Sequence, residues 1–257
     1  MKFRFASFIA VVSLLLLSFV FVSAQNGSSN KTDNKTKTDG NKPAAKTVNI
    51  TPTTKPEELA QIVVDVLGGE KFKNVKTMIT SGSVELYAPN STQSIPGSFI
   101  ITNSGIKYRM EVKSIQSFSF IHDGERSYSS IPGFEIPSPA KYGISALQHL
   151  GEAGYAIAAL PDKKKMRAFS LTGPEGNVTR FFVDTKTGRI KSYEIPYRDL
   201  VYGSEVDEYK EYDGILVPTK FVQRLDTQMG AFYAEFKAKE VKLNAIVEDD
   251  VFAIPTK

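Results

Sequence analysis

Residues 206–224 read VDEYKEYDGILVPTKFVQR, and their reading decides the fold. Two strand-like runs meet at Asp213-Gly214. A type I′ hairpin turn needs positive φ at both central residues, which Asp and Gly tolerate. The incoming arm carries Val206, Tyr209 and Tyr212, and the outgoing arm carries Ile215, Val217, Phe221 and Val222. Pro218 has no N–H to donate, so its backbone must lie at an edge, a bulge or a non-bonded ladder position.

The same pattern recurs on both sides. Strands are predicted over 77–87, 97–102, 106–112, 118–122 and 125–129, then over 166–171, 178–183, 190–197 and 231–243. The cleanest period-two run sets Ile106, Tyr108, Met110 and Val112 against Lys107, Arg109, Glu111 and Lys113. Such alternation marks a strand with one apolar and one charged face. A closing run at 251–255 offers Phe252 and Ile254 as packing anchors. Turns follow one another at the spacing of a barrel or sandwich, giving about ten or eleven strands in an antiparallel meander. A sheet of that size curls or closes, and a curled one encloses space.

Before the first strand the period is helical. Leu59, Ile62, Val63, Val66 and Leu67 fall on one face, Thr54 with Glu57 fits a capping box, and Pro56 suits the first turn. Gly68-Gly69 ends the helix, which is expected to lie across the sheet. Between the fifth strand and the next, residues 131–160 break the pattern. Pro132, Pro137 and Pro139 exclude regular pairing, and 141–150 and 152–160 read as short helices weakened by glycine. The insert carries Ile144, Leu147, Leu150 and Ile157. It reads as a plug that completes the core or as a mobile lid.

Residues 1–24 read as a signal peptide: Lys2 and Arg4 precede an uncharged apolar run, and Val22-Ser23-Ala24 offers a cleavage site. An uncleaved anchor is the competing reading. Residues 25–53 are rich in Asn, Lys, Thr and Ser and cannot bury enough apolar surface to order themselves. They read as a disordered linker, a solvated tether or a basic segment for an anionic membrane surface. The folded domain is expected over 54–257. The chain has no cysteine, which excludes disulfides, thiolate metal sites and N-terminal cysteine acylation. The net charge of +4 resides in the leader and linker. From residue 57 onward, 24 basic residues stand against 26 acidic ones, a balance that argues against a nucleic-acid partner.

Catalytic signatures are missing from the sequence. His122 and His149 are its two histidines, and they lie in separate segments. G-x-S-x-G, HExxH and P-loop patterns do not occur. Glu248-Asp249-Asp250 lacks the alternating ligands and glycine of a calcium loop. Neither a cofactor nor a metal is expected, and the protein is read as a non-enzyme.

Several motifs in order resemble the LolA/LolB-like superfamily of bacterial outer-membrane lipoprotein-sorting proteins. They are the helix ending Leu67-Gly68-Gly69, the strand pair leading to Ile121-His122-Asp123-Gly124, Phe182-Val183-Asp184 with Thr187-Gly188, the run from Tyr209 to Pro218, and Phe252-Ala253-Ile254-Pro255. The resemblance implies an incomplete antiparallel β-barrel, open at one side, capped by helices and lined by apolar side chains. It implies a monomeric periplasmic carrier or binding protein for lipoproteins or lipids, with membrane-bound donor and acceptor proteins as possible partners. The candidate cavity wall is Tyr108, Met110, Val112, Phe118, Phe120 and Phe236. The candidate lid, in a helical insert over about 137–160, is Ile144, Leu147, Leu150 and Ile157, and Arg109 is the candidate polar contact. The alternative on the same fold is a non-catalytic envelope sensor or interaction module.

Overall fold

The structure is a computed structural model and describes residues 48–227 and 230–255. The expected leader and the linker up to residue 47 lie outside the described residues. Twelve strands form one antiparallel sheet, against the ten or eleven expected. They are Thr77–Tyr87 (β1), Ser94–Ser104 (β2), Lys107–Lys113 (β3), Phe118–His122 (β4), Ser127–Ser129 (β5) and Ala156–Ala159 (β6). Met166–Thr172 (β7), Val178–Asp184 (β8), Ile190–Tyr197 (β9), Leu200–Tyr212 (β10), Ile215–Thr227 (β11) and Gly230–Leu243 (β12) complete it.

The spatial order is β5-β4-β3-β2-β1-β12-β11-β10-β9-β8-β7-β6. The chain therefore starts in the middle of the sheet and runs outward to the β5 edge. It crosses to the opposite edge at β6 and returns strand by strand until β12 pairs with β1. No ladder joins β5 to β6, so the barrel is incomplete, and the insert lies in the chain between those two edges.

The hairpin at residues 206–224 forms as its sequence dictates. Asp213 has φ 52° and Gly214 φ 83°, the two left-handed residues that a type I′ turn requires. Pro218 pairs with Tyr209 beside a register shift between Val206 and Tyr209, a bulge that spares the missing donor. On β3, Tyr108, Met110 and Val112 are buried and Arg109 and Glu111 point the other way.

The predicted helix spans Pro56–Leu67 (α1), followed by a single turn at Glu70–Lys73 (α2). Lys55, not Thr54, is the N-cap residue, and no side chain caps the helix. Thr54 Oγ1 instead accepts the backbone N–H of Thr51 at 2.9 Å. Leu59, Ala60, Val63, Val64 and Leu67 are buried on the sheet. Ile62 and Val66 face the turn at Gly188, where Val48 also packs. The Arg167 guanidinium, on β7, donates to the carbonyl oxygens of Thr51 and Thr54. Residues 48–53, at the end of the expected linker, are thus held against the fold.

The insert departs from its reading. Gly143–His149 is a 3₁₀ helix, and the second expected helix does not form. Gly151 and Gly154 take φ of 93° and 87°, which interrupts the helix, and Ala156–Ala159 pairs with Phe169–Thr172 as β6. The closing run at 251–255 is not a strand. Asp249–Phe252 forms a 3₁₀ turn that seats Phe252, which is buried as expected.

Two apolar clusters fill the concave side. One gathers α1, Phe72, Leu147, Leu150 and the inner residues of β7, β8, β9 and β11. The other gathers Val84, Phe99, Met110, Val112, Phe120 and Phe236, with Ile131, Phe134 and Ile136 packed against it. Phe236 stacks on Phe221 and meets Phe99 edge-on, both at 5.0 Å.

The close approach of β1 to β12 gives a direct test. The β1–β12 register shifts between Ser81 and Gly82, and a Cβ at Gly82 would stand 2.0 Å from the Lys237 carbonyl oxygen. Gly82→Ala is expected to cost at least about 1–3 kcal/mol. Gly203→Ala, whose Cβ would meet nothing nearer than 3.8 Å, should stay within about 0.5 kcal/mol of the parent. Urea unfolding of both variants reads the difference.

Candidate functional site

Between the two clusters the curled sheet leaves a cavity of about 210 Å³. One wall is Thr80 on β1, Ile101 on β2 and Tyr108 on β3. The other is Tyr193 on β9, Ser204 and Val206 on β10, and Val217, Phe221 and Gln223 on β11. Phe72 and Val75 close one end, and Tyr142, Ile144, Ser145 and Gln148 of the insert roof it. Period two explains which residues face in. Ile215, Val217, Thr219, Phe221, Gln223 and Leu225 share the inner face of β11, with Lys220 and Arg224 outward.

The roof is fastened by polar bonds. Tyr142 Oη donates to Asn177 Oδ1 at 2.8 Å, and the Gly143 N–H donates to Thr179 Oγ1 at 3.0 Å. Gln148 Nε2 donates to the carbonyl oxygen of Phe72 at 2.9 Å, and Lys73 Nζ to that of Leu150 at 3.1 Å. Gly143 lies directly under Tyr193: a Cβ there would meet the ring at 3.1 Å, and φ is 66°.

The structure divides the sequence-derived candidates. Tyr108 and Ile144 line the cavity. Met110, Val112 and Phe120 belong with Tyr108 and Phe236 to the second cluster but do not line the cavity, and Phe118 packs against that cluster. Phe134 lies 5.5 Å from Phe120 and covers that part of the face. Leu147 and Leu150 are buried in the first cluster, and Ile157 packs against it from β6. Arg109 is on the outer face. Its Nε and Nη2 donate to Glu111 Oε1, and its Nη1 to the Val251 carbonyl oxygen at 2.8 Å, so it holds the C-terminal turn instead of reaching the cavity.

Sequence reasoning missed Tyr193, Ser204 and Gln223. Their signal was a polar residue on the apolar face of a strand, as with Ser204 between Tyr202 and Val206. Burial pushes the Tyr108 and Tyr193 hydroxyls above the ordinary tyrosine range, and the two raise the pKa of Tyr108 further by mutual repulsion. Both stay neutral hydrogen-bonding groups at physiological pH. Lys76, exposed, is the one lysine, arginine, histidine or carboxylate among the described lining residues.

The histidines lie elsewhere. His122 Nδ1 contacts Ser127 Oγ at 3.1 Å, and His149 pairs with Glu152 at 3.0 Å and stacks on Tyr155. Among the described residues no cluster of three or more His, Asp and Glu could hold a metal ion. No described helix is long and apolar enough to cross a membrane.

No protein-family model and no curated protein matches the chain. Solved structures do. A LolA superfamily protein from Nitrosomonas europaea matches with a TM-score of 0.49 and 12% identity, over 75% of this chain and 97% of that one. A DUF1329 family protein from Desulfovibrio piger matches with a TM-score of 0.49 and 9% identity, over 78% and 98%. A domain described as an outer membrane lipoprotein-sorting protein, from Vibrio parahaemolyticus, matches with a TM-score of 0.45 and 13% identity, over 77% and 95%.

The buried tyrosines predict an alkaline limit to stability. Tyr108, Tyr193 and Tyr209 all have raised pKa values in the folded state, chiefly through burial. Above a pH of about 10 the unfolded chain releases these protons and the folded protein retains them, so unfolding becomes favoured as pH rises. The denaturation midpoint is expected to be level from pH 8 to about 9.5 and to fall beyond about 10. Absorbance at 295 nm should meanwhile show a tyrosine fraction that ionises only as the protein unfolds.

Proposed function

We propose that this chain is an exported periplasmic carrier that holds the acyl chains of lipoproteins or lipids. The observation that supports it best is the cavity itself: a largely apolar space between two walls of an open sheet, roofed by a separate insert. The motifs that resemble lipoprotein-sorting proteins agree with that reading. Each methylene moved from water into such a space contributes about 0.8 kcal/mol, so a chain of about ten methylenes supplies on the order of 8 kcal/mol without any charged contact. Among the described residues that line the cavity, none is a histidine or carboxylate that could serve as a base for Ser204. The reading is therefore a carrier, not a catalyst.

Its volume of about 210 Å³ is below the about 300–1,000 Å³ of pockets that enclose drug-sized ligands. Loading a long chain then requires the roof to move. Separation of the insert from β8 and α2 breaks the polar bonds described above and withdraws Leu147 and Leu150 from the first cluster, while the strand ladders stay intact.

Native mass spectrometry of the protein taken from the periplasm without detergent tests the reading. A stoichiometric lipid or acylated peptide is expected. Ile144→Asp places a charge in the roof and is expected to lower retention at least tenfold, with an unchanged circular dichroism spectrum. An empty protein that also fails to take up a fluorescent fatty acid would move the assignment to an interaction module.

A further inference from the structure

We propose that a polar belt across the cavity is a subsite for the carbonyl of an ester- or amide-linked acyl chain, an inference that rests on the carrier reading. Ser204 pairs in register with Tyr193 on one side and Gln223 on the other, so three hydrogen-bonding side chains stand in one row across β9, β10 and β11. All three line the cavity. From the facing wall come Tyr108 and its register partner Asn103 on β2. Tyr108 is near enough to Tyr193 for their charges to interact. Two polar rows, one from each half of the sheet, thus line one space that Ile101, Val206 and Phe221 also bound.

The chemistry of the belt selects its ligand. Two phenols, a serine hydroxyl and two carboxamides are neutral groups, and each offers an N–H or O–H donor. A carbonyl oxygen from an ester or amide takes such donors without bringing charge. A free carboxylate would enter with a full negative charge and find no cation in the belt, which is costly in a desolvated site. Tyr193 and Ser204 already hydrogen-bond each other, and a carbonyl oxygen offers that pair an onward acceptor that a pure hydrocarbon lacks. Sites built to hydrogen-bond a polar group reject analogues lacking it more strongly than apolar pockets discriminate by size. The belt therefore favours a neutral, carbonyl-bearing acyl lipid over the corresponding fatty acid anion.

The test uses the folded domain of the full chain as exported, with N-phenyl-1-naphthylamine as the fluorescent occupant. Monolauroylglycerol and laurate compete for it at pH 7.5, below their micellar concentrations. The ester is expected to displace the probe at a concentration at least tenfold lower than laurate. In the double variant Tyr193→Phe with Ser204→Ala, and separately in Gln223→Leu, that ratio is expected to shrink below threefold. Circular dichroism establishes that each variant is folded, and the wild-type ratio stands independently of both. Equal displacement by the two ligands in the wild type, or a ratio that persists in both variants, would overturn the belt and leave the carrier reading in place. Failure of the probe and both lipids to bind the wild type would overturn both.

Discussion

The ladder between β1 and β12 is the constraint on which the rest depends. Met78 pairs with Leu243 and Tyr87 with Tyr233, joining the first strand of the sheet to the last. Without it the chain would hold two separate half-sheets, β1 to β5 and β6 to β12. The cavity takes one wall from each half: Thr80, Ile101 and Tyr108 from the first, and Tyr193, Ser204 and Gln223 from the second. The site therefore exists only once the two ends of the domain have met. Pairing of that sequence separation costs loop-closure entropy before it returns contacts, and it slows folding. Gly82 lies at the shift in this ladder, where the backbones come too close for a side chain.

Much of the fold was legible because it is written locally. Asp213-Gly214 specifies its own turn, β3 carries its alternation openly, and α1 carries its apolar face and its terminal glycine pair. β6 was not legible. Gly151 and Gly154 hide the end of the preceding element, and Ala156–Ala159 has no period, so that strand is defined by its partner β7. The capping residue was misplaced for a similar reason: Thr54 has a nearer partner in Thr51. The candidate site was legible in one dimension only. Period two says which face of β3 is inward, but not how far along the curled sheet the interior is filled. Met110 and Val112 share that face with Tyr108, yet lie where residues 131–136 pack the space. Ser204 and Gln223 looked like ordinary polar residues because the register that aligns them with Tyr193 is a property of three strands at once.

The roof joins the core and the cavity in one element. A 3₁₀ helix has three residues per turn, so Ile144, Leu147 and Leu150 fall in a single row. Leu147 is fully buried among α1 residues, whereas Ile144 looks into the cavity. The same short element is anchored in the core by one side chain and exposed to the cavity by the next. Its bonds to Asn177, Thr179 and Phe72 lie on the side of β8 and α2, so it is tethered unevenly with respect to the gap it spans.

That gap leaves two sheet edges, and their lengths matter. β5 has three residues and β6 has four, whereas the central strands β10, β11 and β12 have thirteen, thirteen and fourteen. An unpaired edge is a template on which another chain can extend the ladder, and length is what makes such an addition stable. Here each long strand has a partner on both sides over part of its length: β10 pairs with β9 through Leu200–Glu205, and β11 with β12 through Lys220–Thr227. The two terminal strands, each paired on one side, offer a neighbour only a few hydrogen bonds each. An open barrel whose terminal strands are this short thereby limits its own means of polymerising.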